Sequence, residues 1–215
     1  MDIFHKLAAR SGHFLILFAF MPTAQAALIS DLFISEVMVN PSEVSDSNGE
    51  WFELFNPTTE SVDLNQTFIQ DDGSNSHQIS HIGPLLILPN QYFVLARNGN
   101  TLTNGGFIAD YVYSNFTLGN SGDEIILSDG VSELLRLDYG SGFSSAGIST
   151  ELVSTSATGS NYALTPVSFV YGEGDVGTPG SSGSMQFSAS SIPEPSTVLL
   201  FMVGLYGLRR FKYID

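Results

Sequence analysis

The 215-residue chain carries 22 acidic and 7 basic side chains, a formal net charge of −15. A surface this acidic repels phosphate backbones and argues against direct nucleic-acid binding. With no cysteine, the chain has no disulfides, no thiolate metal sites and no cysteine nucleophile.

Residues 1–26 have the three parts of a secretory signal. Lys6 and Arg10 supply the positive region, residues 14–20 (FLILFAF) the apolar region, and Ala24-Gln25-Ala26 the small-x-small cleavage site. Ala27 is then the expected first mature residue, and a secretion channel and a signal peptidase are the expected partners. Five of the seven cations fall in this segment and in the far tail. Only Arg97 and Arg136 remain between them.

Residues 27–184 read as β throughout and suffice for one domain with its own core. A first strand is predicted over 32–39, ended by Asn40-Pro41 and a polar loop through Gly49. A second (EWFELFN, 50–56) is closed by Pro57, and a third spans 62–70. The turn cluster Asp71-Asp72-Gly73-Ser74-Asn75 follows. Strands over 77–82 and 92–97 are separated by a bend around Pro84 and Pro89. Strands over 123–128 and 131–139 flank Asp129-Gly130, a two-residue hairpin signal. Residues 140–159, rich in Gly, Ser and Thr, show no evident pairing. Short strands, frequent turn signals and no helical period predict an all-β, antiparallel β-sandwich, flanked by an N-terminal signal helix and a short C-terminal transmembrane helix.

Beyond the domain, residues 185–191 read as a flexible spacer. Pro193-Glu194-Pro195 then favours extended backbone, and Ser196 stands where a helix N-cap would. The apolar helix expected over 197–208 reaches ~18 Å, short against a hydrocarbon core of ~30 Å. Arg209, Arg210 and Lys212 follow it and should stay on the cytoplasmic side.

Several side chains invite a chemical reading. Alternation groups Glu36 with Ile34 and Met38, and Glu53 with Trp51 and Phe55. If their strands are neighbours, the two carboxylates approach each other, as acid/base catalysis or a Ca²⁺ site requires. The alternative is that each accepts hydrogen bonds from turn backbone or pairs with Arg97. His77 and His81 share a strand face but lie about 13 Å apart, too far to chelate one metal. The 71–75 cluster resembles the opening of a calcium loop but lacks its alternating acids and closing Glu, so an ordinary turn is expected. Trp51, Tyr92, Tyr111, Tyr113 and Tyr139 are the aromatics suited to stacking on sugars, with Trp51 expected in the core. No nucleophile elbow, Walker loop or zinc signature occurs.

Two resemblances build on these residues. The order Pro193-Glu194-Pro195, short apolar helix, Arg209-Arg210 resembles the PEP-CTERM sorting signal of bacterial exported proteins. It implies recognition by an exosortase, transient membrane anchorage through the helix, and a tail that is either cut or kept. Second, Ile34-Ser35-Glu36-Val37, Glu50 through Pro57, Val62-Asp63-Leu64, residues 88–95 (LPNQYFVL) and residues 118–125 (LGNSGDEI) resemble a lamin tail domain. Gly177-Thr178-Pro179-Gly180 is similar to its closing turn. This resemblance implies an immunoglobulin-like sandwich that binds or scaffolds and carries no catalytic residues. The expectation is an exported module of the cell surface or exopolysaccharide matrix, with an exopolysaccharide or another surface protein as partner. No cofactor is expected beyond weak Ca²⁺ binding. The rivals are a carbohydrate-binding module and a matrix-polymer hydrolase using Glu36 and Glu53.

Overall fold

The computed structural model describes residues 27–156 and 159–184. The signal segment with Ala24 and Ala26, the spacer 185–191 and the tail with Pro193, Glu194, Pro195, Arg209 and Arg210 lie outside the described residues. So do both terminal helices expected from the sequence. Among the described residues no helix is long and apolar enough to cross a membrane.

Two sheets face each other. The larger is built from β1 (Phe33–Met38), β2 (Trp51–Phe55), β7 (Tyr92–Ala96), β8 (Tyr111–Val112), β11 (Thr150–Ser156) and β12 (Gly159–Leu164). Its spatial order is β12-β11-β1-β2-β7-β8. The second contains β4 (Phe68–Gln70), β5 (Ser76–Gln78), β9 (Asp123–Ser128) and β10 (Glu133–Tyr139), in the order β10-β9-β4-β5. A small pair, β3 (Val62–Asp63) with β6 (Leu86–Ile87), stands apart from both. Among the described residues one α-helical turn occurs, α1 (Asp46–Gly49), which closes the polar loop before β2.

The alternation of each strand explains the layering. Ile34, Val37, Phe52, Leu54, Phe93 and Leu95 of the larger sheet meet Ile69, Ile125, Leu127 and Leu137 of the smaller one in the main core. The intervening residues do not face open water. Met38, Trp51, Val94 and Ala96 form a second cluster with Phe107, against which Tyr171 packs. Segments 105–110 and 167–184 therefore lie over the outer face of the larger sheet as a partial third layer. Two of their glycines meet backbone to backbone. A Cβ on Gly172 (φ 49°) would overlap the carbonyl oxygen of Gly105, and one on Gly106 (φ 92°) would lie 2.7 Å from the Gly172 Cα.

Three expectations are corrected. The strand expected over 62–70 is two strands in different sheets, because Gln66 takes a left-handed conformation (φ 72°) and breaks it. The hairpin between β9 and β10 is not a two-residue turn. Asp129 Oδ1 accepts both Val131 N (2.8 Å) and Ser132 N (2.7 Å), holding residues 129–132 as the loop so that Glu133 pairs with Ser128. Nor is the larger sheet wholly antiparallel. β8 runs parallel to β7, entered through Asp110, whose Oδ2 accepts Val94 N at 2.8 Å. The stretch with no evident pairing supplies β11, which lies between β1 and β12.

One buried amide ties the end of β2 to β6. Asn56, fully buried, donates from Nδ2 to Glu60 O (2.8 Å) and Ile87 O (3.0 Å), while its Oδ1 accepts Thr58 N (3.0 Å) and Thr58 Oγ1 (2.7 Å). Removing it orphans buried backbone groups. Asn56→Ala is expected to lose about 2–4 kcal/mol in urea unfolding, more than Thr58→Ala does.

Candidate functional site

The densest polar constellation lies on the outer face of the larger sheet. Register places Glu36 opposite Glu53 on β2 and opposite Glu151 on β11, so three carboxylates form a row across β11, β1 and β2. All three residues are 1–2% exposed. A bulge at Ser35 sets this arrangement. It lets Ile34 point into the main core while Glu36 shares the outer face with Met38, so the expected grouping of Glu36 with Ile34 is corrected. The displaced Ser35 hydroxyl donates to Glu53 Oε1 at 2.6 Å.

The row is covered by the chain itself. Residues 177–184 form a strap whose donors go to the carboxylates in turn. Thr178 gives its N–H (2.9 Å) and hydroxyl to Glu36, Gly180 gives its N–H to Glu53 (2.6 Å), and Ser184 gives its N–H (2.9 Å) and hydroxyl to Glu151. Ser149 Oγ and Thr165 Oγ1 also donate to Glu36. Two glycines permit the approach. A Cβ on Gly183 would overlap Glu151 Oε2, and one on Gly177 would lie 3.0 Å from Glu36 Oε1.

Glu36 and Glu53 are thus brought together, and neither opens onto a cleft. This corrects their reading as the acid pair of a matrix-polymer hydrolase, since no sugar ring or attacking water reaches carboxylates capped from above by backbone. Loss of water raises both pKa values, Glu53 well above the usual carboxylate range. Donors from Ser149 and Thr178 oppose the rise for Glu36, and Ser35 opposes it for Glu53. Arg97 pairs with neither. It meets Glu50, at 3.1 Å, and Glu50 also accepts Leu118 N at 3.2 Å. Burial pushes Glu50 up to about 7 in spite of that guanidinium.

The remaining candidates are dispersed. Ser114 N–H donates to His77 Nδ1 (3.3 Å), which leaves the Nε2 proton facing Tyr111 Oη at 2.9 Å. Desolvation lowers the His77 pKa. His81 lies outside β5, beside Gly83 O, so the two histidines share no ligand position. Asp71 is an ordinary turn acid, its Oδ1 accepting Gly73 N (2.8 Å) and Asn75 N (3.0 Å). Asp72, Glu124 and Asp138 bring carboxylate oxygens within 4.8 Å of one another, but the Arg136 guanidinium is already bound to Asp72 and Asp138, each at 2.6 Å. The aromatics do not form an exposed row for sugar stacking. Trp51, Tyr113 and Tyr139 are buried, and Trp51 Nε1 donates to Tyr171 Oη at 3.2 Å.

Sequence reasoning missed Glu50 and Glu151. Glu151 did leave a signal, as the one charged residue between Asp138 and Glu173. A solitary acid at a strand position in so neutral a stretch points to a specific partner. A two-sheet sandwich with few helices, and a cluster of carboxylates that fastens its own backbone, define a β-sandwich module rather than a reaction centre. A sequence model of the lamin tail domain matches residues 25–141, and the chain belongs to that family. The family's domain is an immunoglobulin-like fold and is typically non-catalytic. Comparison with curated proteins and with solved structures gives no match.

Buried glutamates set the direction of the pH response. A folded-state pKa above the unfolded 4.5 contributes stability that is complete below about pH 4.5 and is lost as pH rises through the folded value, about 7 for Glu50. Chemical unfolding of the domain is therefore expected to show less stability at pH 8 than at pH 5, by about 2–4 kcal/mol for Glu50 alone. Glu36→Gln with Glu53→Gln should flatten the slope further. A domain that grows more stable from pH 5 to pH 8 would contradict these assignments.

Proposed function

We propose that this chain is an exported, non-catalytic surface module, delivered through the secretion channel, trimmed by signal peptidase at Ala24-Gln25-Ala26, and sorted by an exosortase. The observation that carries the sorting step is the order Pro193-Glu194-Pro195, short apolar run, Arg209-Arg210. An apolar run too short for a comfortable span, bracketed by prolines and cations, suits transient residence in a membrane. Its destination is the cell surface or the exopolysaccharide matrix, with a structural or adhesive role. No cofactor is needed for that role, and exposed acids such as Asp72 and Asp138 provide at most weak Ca²⁺ association.

Membership in the lamin tail family supports a binding or scaffolding role. Burial of Glu36 and Glu53 removes the motive for a hydrolase, and burial of Trp51, Tyr113 and Tyr139 weakens a carbohydrate-binding reading. Intact mass of the protein recovered from its native host, membrane fraction against medium, tests the proposal. A processed form should begin at Ala27, and Arg209→Ala with Arg210→Ala should accumulate precursor in the membrane. A cytosolic product that still begins at Met1 would overturn it.

A further inference from the structure

One side of the sandwich is fastened by side chains rather than by strand pairing. β5 and β8 belong to different sheets, and His77, Tyr111 and Ser114 bridge between them. His77 Nε2 lies 2.9 Å from Tyr111 Oη, with the ring centroids 5.6 Å apart. The same Oη accepts Ser80 N at 3.1 Å. On the opposite side of the imidazole, Nδ1 is 3.3 Å from both Ser114 N and Ser114 Oγ. Ser76 N also donates to Asn115 O, at 3.0 Å. The chain neighbours Ile79, Tyr113 and Phe116 are buried in the main core.

These contacts admit one protonation state. A backbone N–H can only donate, so Ser114 N requires a lone pair on Nδ1. The neutral ring then carries its proton on Nε2 and gives it to Tyr111 Oη. With a second donor from Ser80, that oxygen has both lone pairs in use. A proton added to Nδ1 would face the Ser114 N–H, donor against donor. The Ser114 hydroxyl can accept the new proton, but the backbone N–H is still left without its acceptor. Nothing packed against the ring favours its charge. Its cross-strand neighbour on β4 is Ile69, its titratable contact on β8 is Tyr111, and residues 113–116 bring no carboxylate. Asp71 is held within its own turn and Asp110 by Val94 N. Desolvation alone shifts the imidazole, and it does so downward.

We infer that His77 is an acid-released clasp between the two sheets. Neutral, it fastens β5 to β8 and to Ser114; protonated, it frees that corner while the rest of the domain stays folded. The direction follows from linkage. A folded pKa below the ordinary 6.5 contributes stability that is complete above 6.5 and is lost as pH falls through the folded value. The buried glutamates run the other way, since their raised pKa values favour the folded domain in acid. Acidification therefore firms the larger sheet while it loosens the β5 corner, which makes the opening local rather than global. This inference goes beyond the sorting proposal and does not depend on it.

Hydrogen exchange on the full-length chain in mild detergent, followed by NMR at about pH 7.5 and about pH 5 and corrected for intrinsic rates, provides the test. Protection at Ser114 N and Ser80 N should fall about tenfold in acid, while Leu54 of β2 keeps its protection. His77→Asn offers Ser114 N a neutral acceptor at every pH and should abolish the fall there. Nitrogen shifts of the unsubstituted protein's neutral imidazole should report the Nε2–H tautomer, a readout that needs no variant. Equal protection of Ser114 at both pH values, the same fall in His77→Asn, a parallel loss at Leu54, or an Nδ1–H tautomer would each overturn the inference.

Discussion

Burying three carboxylates side by side is costly unless every one is given donors, and the fold is arranged around meeting that cost. Glu151, Glu36 and Glu53 occupy adjacent strands of the larger sheet, and their donors come from residues distant in sequence, above all Thr178, Gly180 and Ser184. Water cannot serve them in that position, so the strap must lie down if the sheet is to close. The sheet in turn exists in its full width only if β11 reaches β1, since the row is incomplete without Glu151. The middle of the chain and its distant end are thereby made to fold as one unit.

The same contacts explain why the outer face of the larger sheet is not a binding surface of the usual immunoglobulin kind. Trp51, Met38, Val94 and Ala96 would make an exposed apolar patch if left bare. Phe107 and Tyr171 cover them, their rings each about 6 Å from Trp51, and the close meeting of Gly105 and Gly106 with Gly172 lets the two covering segments lie against each other. A groove of about 490 Å³ bordered by Ile108, Val170 and Pro179 stays open between the covering segments.

How much of this was legible in the sequence varies with the kind of signal. β1, β2, β7 and β9 were readable because apolar alternation and flanking turn residues agree. The stretch 62–70 was not, since Leu64-Asn65-Gln66-Thr67 contains neither Gly nor Pro to announce that Gln66 turns left-handed. β11 and β12 were hidden by their Ser, Thr and Gly content, and their strand character comes from pairing rather than propensity. At the site, the meeting of Glu36 with Glu53 could be foreseen from alternation, but the bulge at Ser35 could not. Nor did anything local in Gly177-Thr178-Pro179-Gly180 reveal that it would face carboxylates more than 100 residues away.

The strap has a mechanical side. Tension applied to the chain beyond Ser184 does not arrive at a frayed edge. It is met first at β11, then through Gly180 and Thr178 at β2 and β1, strands with a hydrogen-bonded neighbour on both flanks. A pull that would otherwise act on one terminal strand is instead taken in succession by contacts on three strands. The carboxyl end of the domain is thus fastened to three strands rather than to one.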